Sequence, residues 1–199
     1  ADHAVAMMLA LTRRICDAVR TTSEGAWRDN GKLTVEYMRT VRRTAGHTVG
    51  IVGFGDIGRA FANRIRGFGP SQIIAHDPYV PQTTADLYGV KLVSLEELLQ
   101  QSDYVSIHTA LTDETRYMIN EDSLKLMKPT AILVNTSRGP VVDGAALALA
   151  LQSGVIEAAG LDVAEVEPIE SQDPLLSLPN AIITPHLAGF SPTFLEECP

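Results

Sequence analysis

An apolar run from Val49 to Val52 ends at three glycines spaced Gly53-x-Gly55-x-x-Gly58, and a helical pattern begins directly behind them. That junction constrains the fold more than any other part of the chain. The first glycine of such a turn permits the tight bend, the second lets the backbone approach a pyrophosphate, and the third lets helix and strand pack closely. Asp56, Ile57 and Gly58 then open a helix whose free N–H groups and positive dipole end face the phosphates. Glycines also make ordinary turns, so the triplet alone is a weak signal. It gains weight from Asp77, nineteen residues past Gly58 at the end of a second apolar run, Ile73 to His76. An acid there is placed to bind both ribose hydroxyls of an adenosine. The plainer alternative for Asp77 is a turn residue before Pro78.

From residue 48 the pattern alternates between strand and helix. Strands are expected over 49–52, 72–76, 91–93, 104–108, 131–135, 158–163 and 181–184. Helices are expected over 57–68, 83–88, 95–101, 121–127 and 144–152, the first ended by Gly69-Pro70. Ser94 caps the helix that follows it, with Glu97 at the capping-box position, and Asp143 and Ser153-Gly154 bracket the last helix. Short strands buried on both faces and separated by helices indicate an α/β fold, a doubly wound parallel sheet of Rossmann type. Ahead of it, residues 2–20 read as one helix, with Val5, Met8, Leu9, Thr12, Cys16 and Val19 in a stripe. Asp2 is its candidate cap. Residues 21–47 read as an extended arm carrying a short helical turn, with Trp27 as a packing anchor.

Charge narrows the partners. The net charge of −8 argues against nucleic acid, which wants a basic face. Residues 1–48 hold eight Lys/Arg against five Asp/Glu, a net +3, so residues 49–199 carry −11. A basic arm of this kind suits packing on an acidic body, its own or a symmetry mate's. Cys16 and Cys198 form neither a framework nor a C-x-x-C pair, which favours a reduced, cytoplasmic setting. The apolar run from Ala4 to Leu11 is too short to span a bilayer, and its flanking charges run opposite to a secretory signal's. No His/Cys cluster has metal spacing, so no catalytic metal is expected. The chain begins at Ala1, inside a helical pattern and without an initiator Met, which reads as a cut or a missing segment.

In doubly wound sheets, ligands lie outside the carboxyl ends of the strands. Just past those ends stand the glycine turn, Asp77, His108-Thr109, Thr136-Ser137-Arg138-Gly139, Asp162 with Glu165 and Glu167, and finally His186. Three of these suit hydride transfer between a dinucleotide and a carbonyl. Arg138 offers a forked cation able to hold a carboxylate and polarise a neighbouring carbonyl. His186 is placed for general acid/base work. Either Glu167 or Glu165 is able to orient its ring, and the residues themselves leave that choice open. Each has a bland alternative: Arg138 as a helix cap or a partner of Asp143, and His186 as a buried structural histidine. His3, His47 and His76 are assigned structural roles. Asp77, with no Arg or Lys over 78–86, favours NAD over NADP.

The run Leu133-Val134-Asn135-Thr136-Ser137-Arg138-Gly139-Pro140-Val141-Val142-Asp143 resembles a signature of the D-isomer-specific 2-hydroxyacid dehydrogenases. Gly160-Leu161-Asp162-Val163 with Glu167-Pro168, and Thr184-Pro185-His186-Leu187-Ala188-Gly189, resemble it too. The resemblance covers nearly the whole chain. It implies Arg138, Glu167 and His186 as the catalytic set, the Glu being the one before Pro. It also implies that Asp162 holds the nicotinamide carboxamide and that Thr109, Ala110, Thr136 and Ser137 line the cofactor cleft. Pro78, Thr115, Gly189 and His186 itself complete the expected cofactor set. Residues 39–49, His76-Asp77-Pro78-Tyr79 and Phe190-Ser191 lean towards the branch of the C-terminal-binding-protein corepressors. That branch carries tryptophan where this chain has Gly189.

The resemblance implies an NAD-dependent oxidoreductase acting on a 2-hydroxy or 2-oxo acid. It divides the chain into a linking helix and dimerisation arm over 1–47, an NAD-binding domain over 48–189, and over 190–199 the start of a return to a missing substrate domain. A homodimer through residues 1–47 and the NAD-binding domain is expected, with little turnover from this chain alone. The alternative is a dimeric, NAD(H)-sensing interaction protein of corepressor type.

Overall fold

The computed structural model describes residues 1–28 and 31–191. Seven strands form one sheet: β1 (Thr48–Val52), β2 (Gln72–His76), β3 (Lys91–Leu92), β4 (Tyr104–Ile107), β5 (Ile132–Asn135), β6 (Ala158–Leu161) and β7 (Ala181–Ile183). Their order is β3-β2-β1-β4-β5-β6-β7 and every pairing is parallel, the doubly wound arrangement expected. Register brings the strand ends flush. Val52 pairs with both His76 and Ile107, Ile107 with Asn135, Asn135 with Leu161, and Leu161 with Ile183. Whatever follows those six residues is therefore delivered to one edge. Between β1 and β4 the winding reverses, and the crevice there is where such sheets bind ligands.

Alternation along the strands builds two cores. Val49 and Ile51 of β1, with Ile132 and Val134 of β5, face the layer of α1 (Asp2–Thr12) and α4 (Asp56–Ile65). Val52 and Leu133 face the opposite layer of α6 (Leu95–Gln101), α7 (Glu121–Leu126) and α8 (Gly144–Ser153). Phe61, Ile65, Leu98, Leu99 and Leu147 are fully buried, each contributing about 1.5–3 kcal/mol through burial. The caps are chemical. Asp143 accepts the Ala146 N–H at 2.9 Å, and Gly154, at φ +73°, closes α8. Ser94 accepts the Glu97 N–H at 3.1 Å. The Glu97 side chain turns instead to Gln101 and Lys91, so only half of that capping box forms.

The N-terminal region departs from expectation in four ways. The single helix over 2–20 is two, α1 and α2 (Ile15–Ser23), broken where Arg14 takes a left-handed φ of 51°. The break lets Arg13 reach the Arg42 carbonyl and Arg14 reach Thr40 and Asp17. Asp2 does not cap α1; it pairs with Arg64 of α4. The arm carries a nine-residue helix, α3 (Lys32–Thr40), besides the short turn at Ala26–Arg28. Trp27 is 71% exposed, so it anchors nothing within the described chain. A further short helix, α5 (Gln82–Asp86), precedes β3. The expected return segment lies outside the described residues from 192 on. No described helix is long and apolar enough to cross a membrane.

Candidate active site

The glycine turn after β1 has the geometry its spacing predicts. Gly53 sits at φ +88°, and a β-carbon there would fall 2.6 Å from the Thr109 nitrogen. A β-carbon on Gly58 would meet the Gly53 carbonyl oxygen at 2.2 Å, so α4 seats only with glycine there. Gly55 has nothing within 4 Å of its would-be β-carbon, leaving the open approach a pyrophosphate needs. Asp77 is half-buried and reaches back to this turn. Its Oδ2 accepts the Phe54 N–H at 2.8 Å and its Oδ1 accepts the Tyr79 N–H at 2.9 Å. A carboxylate oxygen accepts two bonds, so each keeps capacity for a hydroxyl.

Gly53, Gly55, Asp77, Pro78, Thr109, Ala110 and Thr115 line one cavity of about 450 Å³, a size suited to a small-molecule site. Thr115 closes its wall, accepting from the Thr112 N–H and donating to the Ala110 carbonyl, both at 2.7 Å. Asp56 and Ile57 begin α4 beside the cavity; Asp56 pairs with Arg59, and Ile57 is exposed. His108 also lines it, bonded to Ser106 at 2.9 Å and packed on Phe61. Burial pushes His108 down to about 3, so it is neutral at physiological pH.

The ends of β5, β6 and β7 carry the other half. Asn135, 1% exposed, accepts from the Ser137 N–H and hydroxyl through Oδ1 and donates to the Arg138 carbonyl through Nδ2. It thereby shapes the loop from Thr136 to Arg138. Arg138 is exposed, and its Nη1 donates to the Ser137 carbonyl. Gly139 lets this loop pass close against the segment that follows β6: a β-carbon there would lie 1.8 Å from the Ala164 oxygen.

His186 Nδ1 and Glu167 Oε2 are 2.7 Å apart, and Glu167 Oε1 accepts the Ala164 N–H at 3.0 Å. Burial works to raise the Glu167 carboxyl. The bonds from His186 and Ala164, with the charges of His186 and Arg138, outweigh it and hold the group below the usual carboxylate range. The two acids that the sequence leaves open are separated here, since Glu165 takes its bond from the Tyr117 hydroxyl instead.

Asp162 lies in the wall of the cavity beside His186. It is wholly buried, and its carboxylate accepts from the Thr184 hydroxyl, the Leu187 N–H and the Ala188 N–H. It serves the loop around His186 rather than presenting a face to solvent. Gly189 is exposed just beyond that loop. Beside His186, Pro168, Ile169, Leu176 and Ile183 line a second, largely apolar cavity of about 560 Å³. The sequence patterns give no role to Asn135 or Tyr117 and a structural one to His3. Asn135 had a signal, a polar residue closing a buried apolar strand. Tyr117 had none.

The model of the D-isomer specific 2-hydroxyacid dehydrogenase NAD binding domain matches residues 5–188. The chain belongs to the D-isomer-specific 2-hydroxyacid dehydrogenases. Among relatives of this dehydrogenase domain, the glyoxylate reductase of Korarchaeum cryptofilum is 47% identical over 192 residues, 96% of this chain and 56% of that protein. The D-3-phosphoglycerate dehydrogenase of Mycobacterium tuberculosis is 41% identical over 189 residues, 95% of this chain and 34% of that protein. In three dimensions the apo D-mandelate dehydrogenase of Rhodotorula graminis superposes with a TM-score of 0.90 at 32% identity, over 98% of this chain and 57% of that one. The chain thus spans about half the length of the glyoxylate reductases it matches, or less in the phosphoglycerate dehydrogenase.

Proposed function

We propose that this chain is the cofactor-holding part of an NAD-dependent oxidoreductase that interconverts a 2-hydroxy acid and a 2-oxo acid. The observation that carries the reading is the 2.7 Å contact between His186 Nδ1 and Glu167, on the same sheet edge as the glycine turn and Arg138. With Nδ1 engaged by the carboxylate, Nε2 is the nitrogen left for substrate. In reduction, His186 gives its proton to the carbonyl oxygen of the 2-oxo acid. In oxidation it takes the proton of the hydroxyl. Glu167 fixes the ring and balances the imidazolium. Arg138 holds the substrate carboxylate and draws electron density from the neighbouring carbonyl.

NAD fits the residues present. Gly55 leaves room for a pyrophosphate at the start of α4, and Asp77 offers an acceptor on each oxygen to the ribose hydroxyls while repelling a 2′-phosphate. Bound there, NADH supplies the hydride. Thr109, Ala110, Thr115, Thr136 and Ser137 wall the cleft, and Asp162 is the residue placed to hold the nicotinamide carboxamide. The names of the relatives favour a small 2-oxo acid of the glyoxylate kind as first substrate to test.

We extend the reading to a homodimer through residues 1–47, because Ile15, Val19, Trp27, Val35 and Met38 all stand exposed there, and to a cytoplasmic setting. The test is loss of NADH absorbance when the full-length protein meets a panel of 2-oxo acids. NADH binding without any reduction would overturn the catalytic reading and favour a sensor.

A further inference from the structure

His3 stands in the first turn of α1, far in sequence from the candidate site. Its Nε2 lies 2.9 Å from Thr184 Oγ1 and 3.3 Å from Asp162 Oδ1. Asp162 in turn accepts from Thr184, two residues before His186, and from the N–H groups of Leu187 and Ala188, directly after it. Between those anchors His186 is held at a φ of 57°, a left-handed backbone that a non-glycine residue adopts only under constraint. The carboxylate is shared, so the donors assign themselves. Nε2–H of His3 donates to Thr184 Oγ1 and Asp162 Oδ1, and the Thr184 hydroxyl donates to Asp162.

Helix α1 is a firm base for this latch. Ala4, Val5, Met7 and Met8 are buried against the sheet, and Gly160 admits the helix so closely that a β-carbon there would lie 3.3 Å from the Met7 β-carbon. The side chain of His3 is only one-quarter exposed.

We infer that His3 is a positioning residue: through Thr184 and Asp162 it fixes the turn that aims His186 at Glu167, and so ties helix α1 to the proton-transferring loop. The inference rests on the proposed dehydrogenase reading only for its kinetic readout.

The test compares His3→Leu, which removes the donor, with His3→Gln, whose side-chain NH₂ sits near the place of Nε2, in the full-length protein. His3→Leu is expected to lower kcat about tenfold with little change in the KM for NADH, and to move the pH profile of kcat. His3→Gln is expected to restore most of both. The NMR titration of His186 is followed in parallel, since it needs no turnover. Its midpoint is expected to move in His3→Leu and to return in His3→Gln. Thr184→Val, which cuts the same chain at its middle link, is expected to reproduce the His3→Leu shift. An unmoved His186 midpoint in both His3→Leu and Thr184→Val overturns the inference, whether or not the protein turns over any 2-oxo acid. Absence of reduction by the unmodified protein overturns the dehydrogenase reading instead and leaves the titration to decide on His3.

Discussion

Gly139 lies directly beneath Ala164, with room for a hydrogen and no more: a β-carbon would stand 1.8 Å from the Ala164 oxygen and 2.6 Å from the Glu165 nitrogen. The contact brings the loop of Arg138 against the loop of Glu167. Gly139→Ala must therefore push the two apart, with a strain cost of about 1–3 kcal/mol. Expected are a lowered melting temperature and a more than tenfold loss of kcat, with a smaller loss of NADH affinity because the glycine turn and Asp77 sit on other strands. Thermal unfolding, NADH titration and steady-state rates check this; full activity in the variant would show that the loops do not need their contact.

Glu167→Gln keeps the shape but removes the charge facing His186. The carboxyl is held below its usual range, so it is ionised at neutral pH and available to balance an imidazolium. The substitution is expected to lower kcat by about a hundredfold, within the range of general acid/base contributions. Glu165→Gln, facing Tyr117, is expected to cost far less. Rates for the pair decide it, and equal losses would mean the two acids have been given the wrong roles.

Asp77 does two jobs, which changes what its removal should do. Asp77→Ala takes away the proposed ribose acceptor and also strands the N–H of Phe54, whose residue is fully buried. Leaving that donor unpaired costs about 1–3 kcal/mol. The variant is expected to lose at least tenfold in NADH affinity and to melt a few degrees lower. Calorimetric titration and thermal unfolding measure both, and unchanged affinity would show that the ribose lies elsewhere.

His108 sets an acid limit on stability. Folded, it titrates at about 3 because of burial, against an ordinary value of 6.5. Between those values the unfolded chain holds a proton that the folded chain refuses. Its contribution is thus complete above about 6.5 and is lost progressively as pH falls towards about 3. Melting temperature is expected to decline between pH 7 and pH 4, less steeply in His108→Gln. Parallel declines in the two proteins would assign the acid sensitivity to other groups.

Local rules carried much of the fold. The strand over 72–76 and the helix over 95–101 stand where the periodicity and Ser94 put them. The sheet edge that gathers the polar residues follows from strand ends alone. What stayed hidden depends on contacts between distant segments. The left-handed Arg14 has no glycine to announce it; it is held by Asp17, Thr40 and the Tyr37 ring. Helix α3 contains Thr34, Val35, Tyr37 and Thr40, weak helix formers whose segment is held by those same contacts. His3 and Thr184 meet across 181 positions, a pairing no spacing rule reaches. The choice between Glu165 and Glu167 came from the resemblance, and only side-chain placement gives each its own partner.

The reversal of winding at β1 and β4 leaves the sheet with two workshops side by side. One, on β1, β2 and β4, carries the glycine turn and Asp77; the other, on β5, β6 and β7, carries Arg138, Glu167 and His186. On the proposed reading, the chemistry at the ends of β6 and β7 can change by loop exchange while the glycine turn and Asp77 keep hold of the same redox carrier.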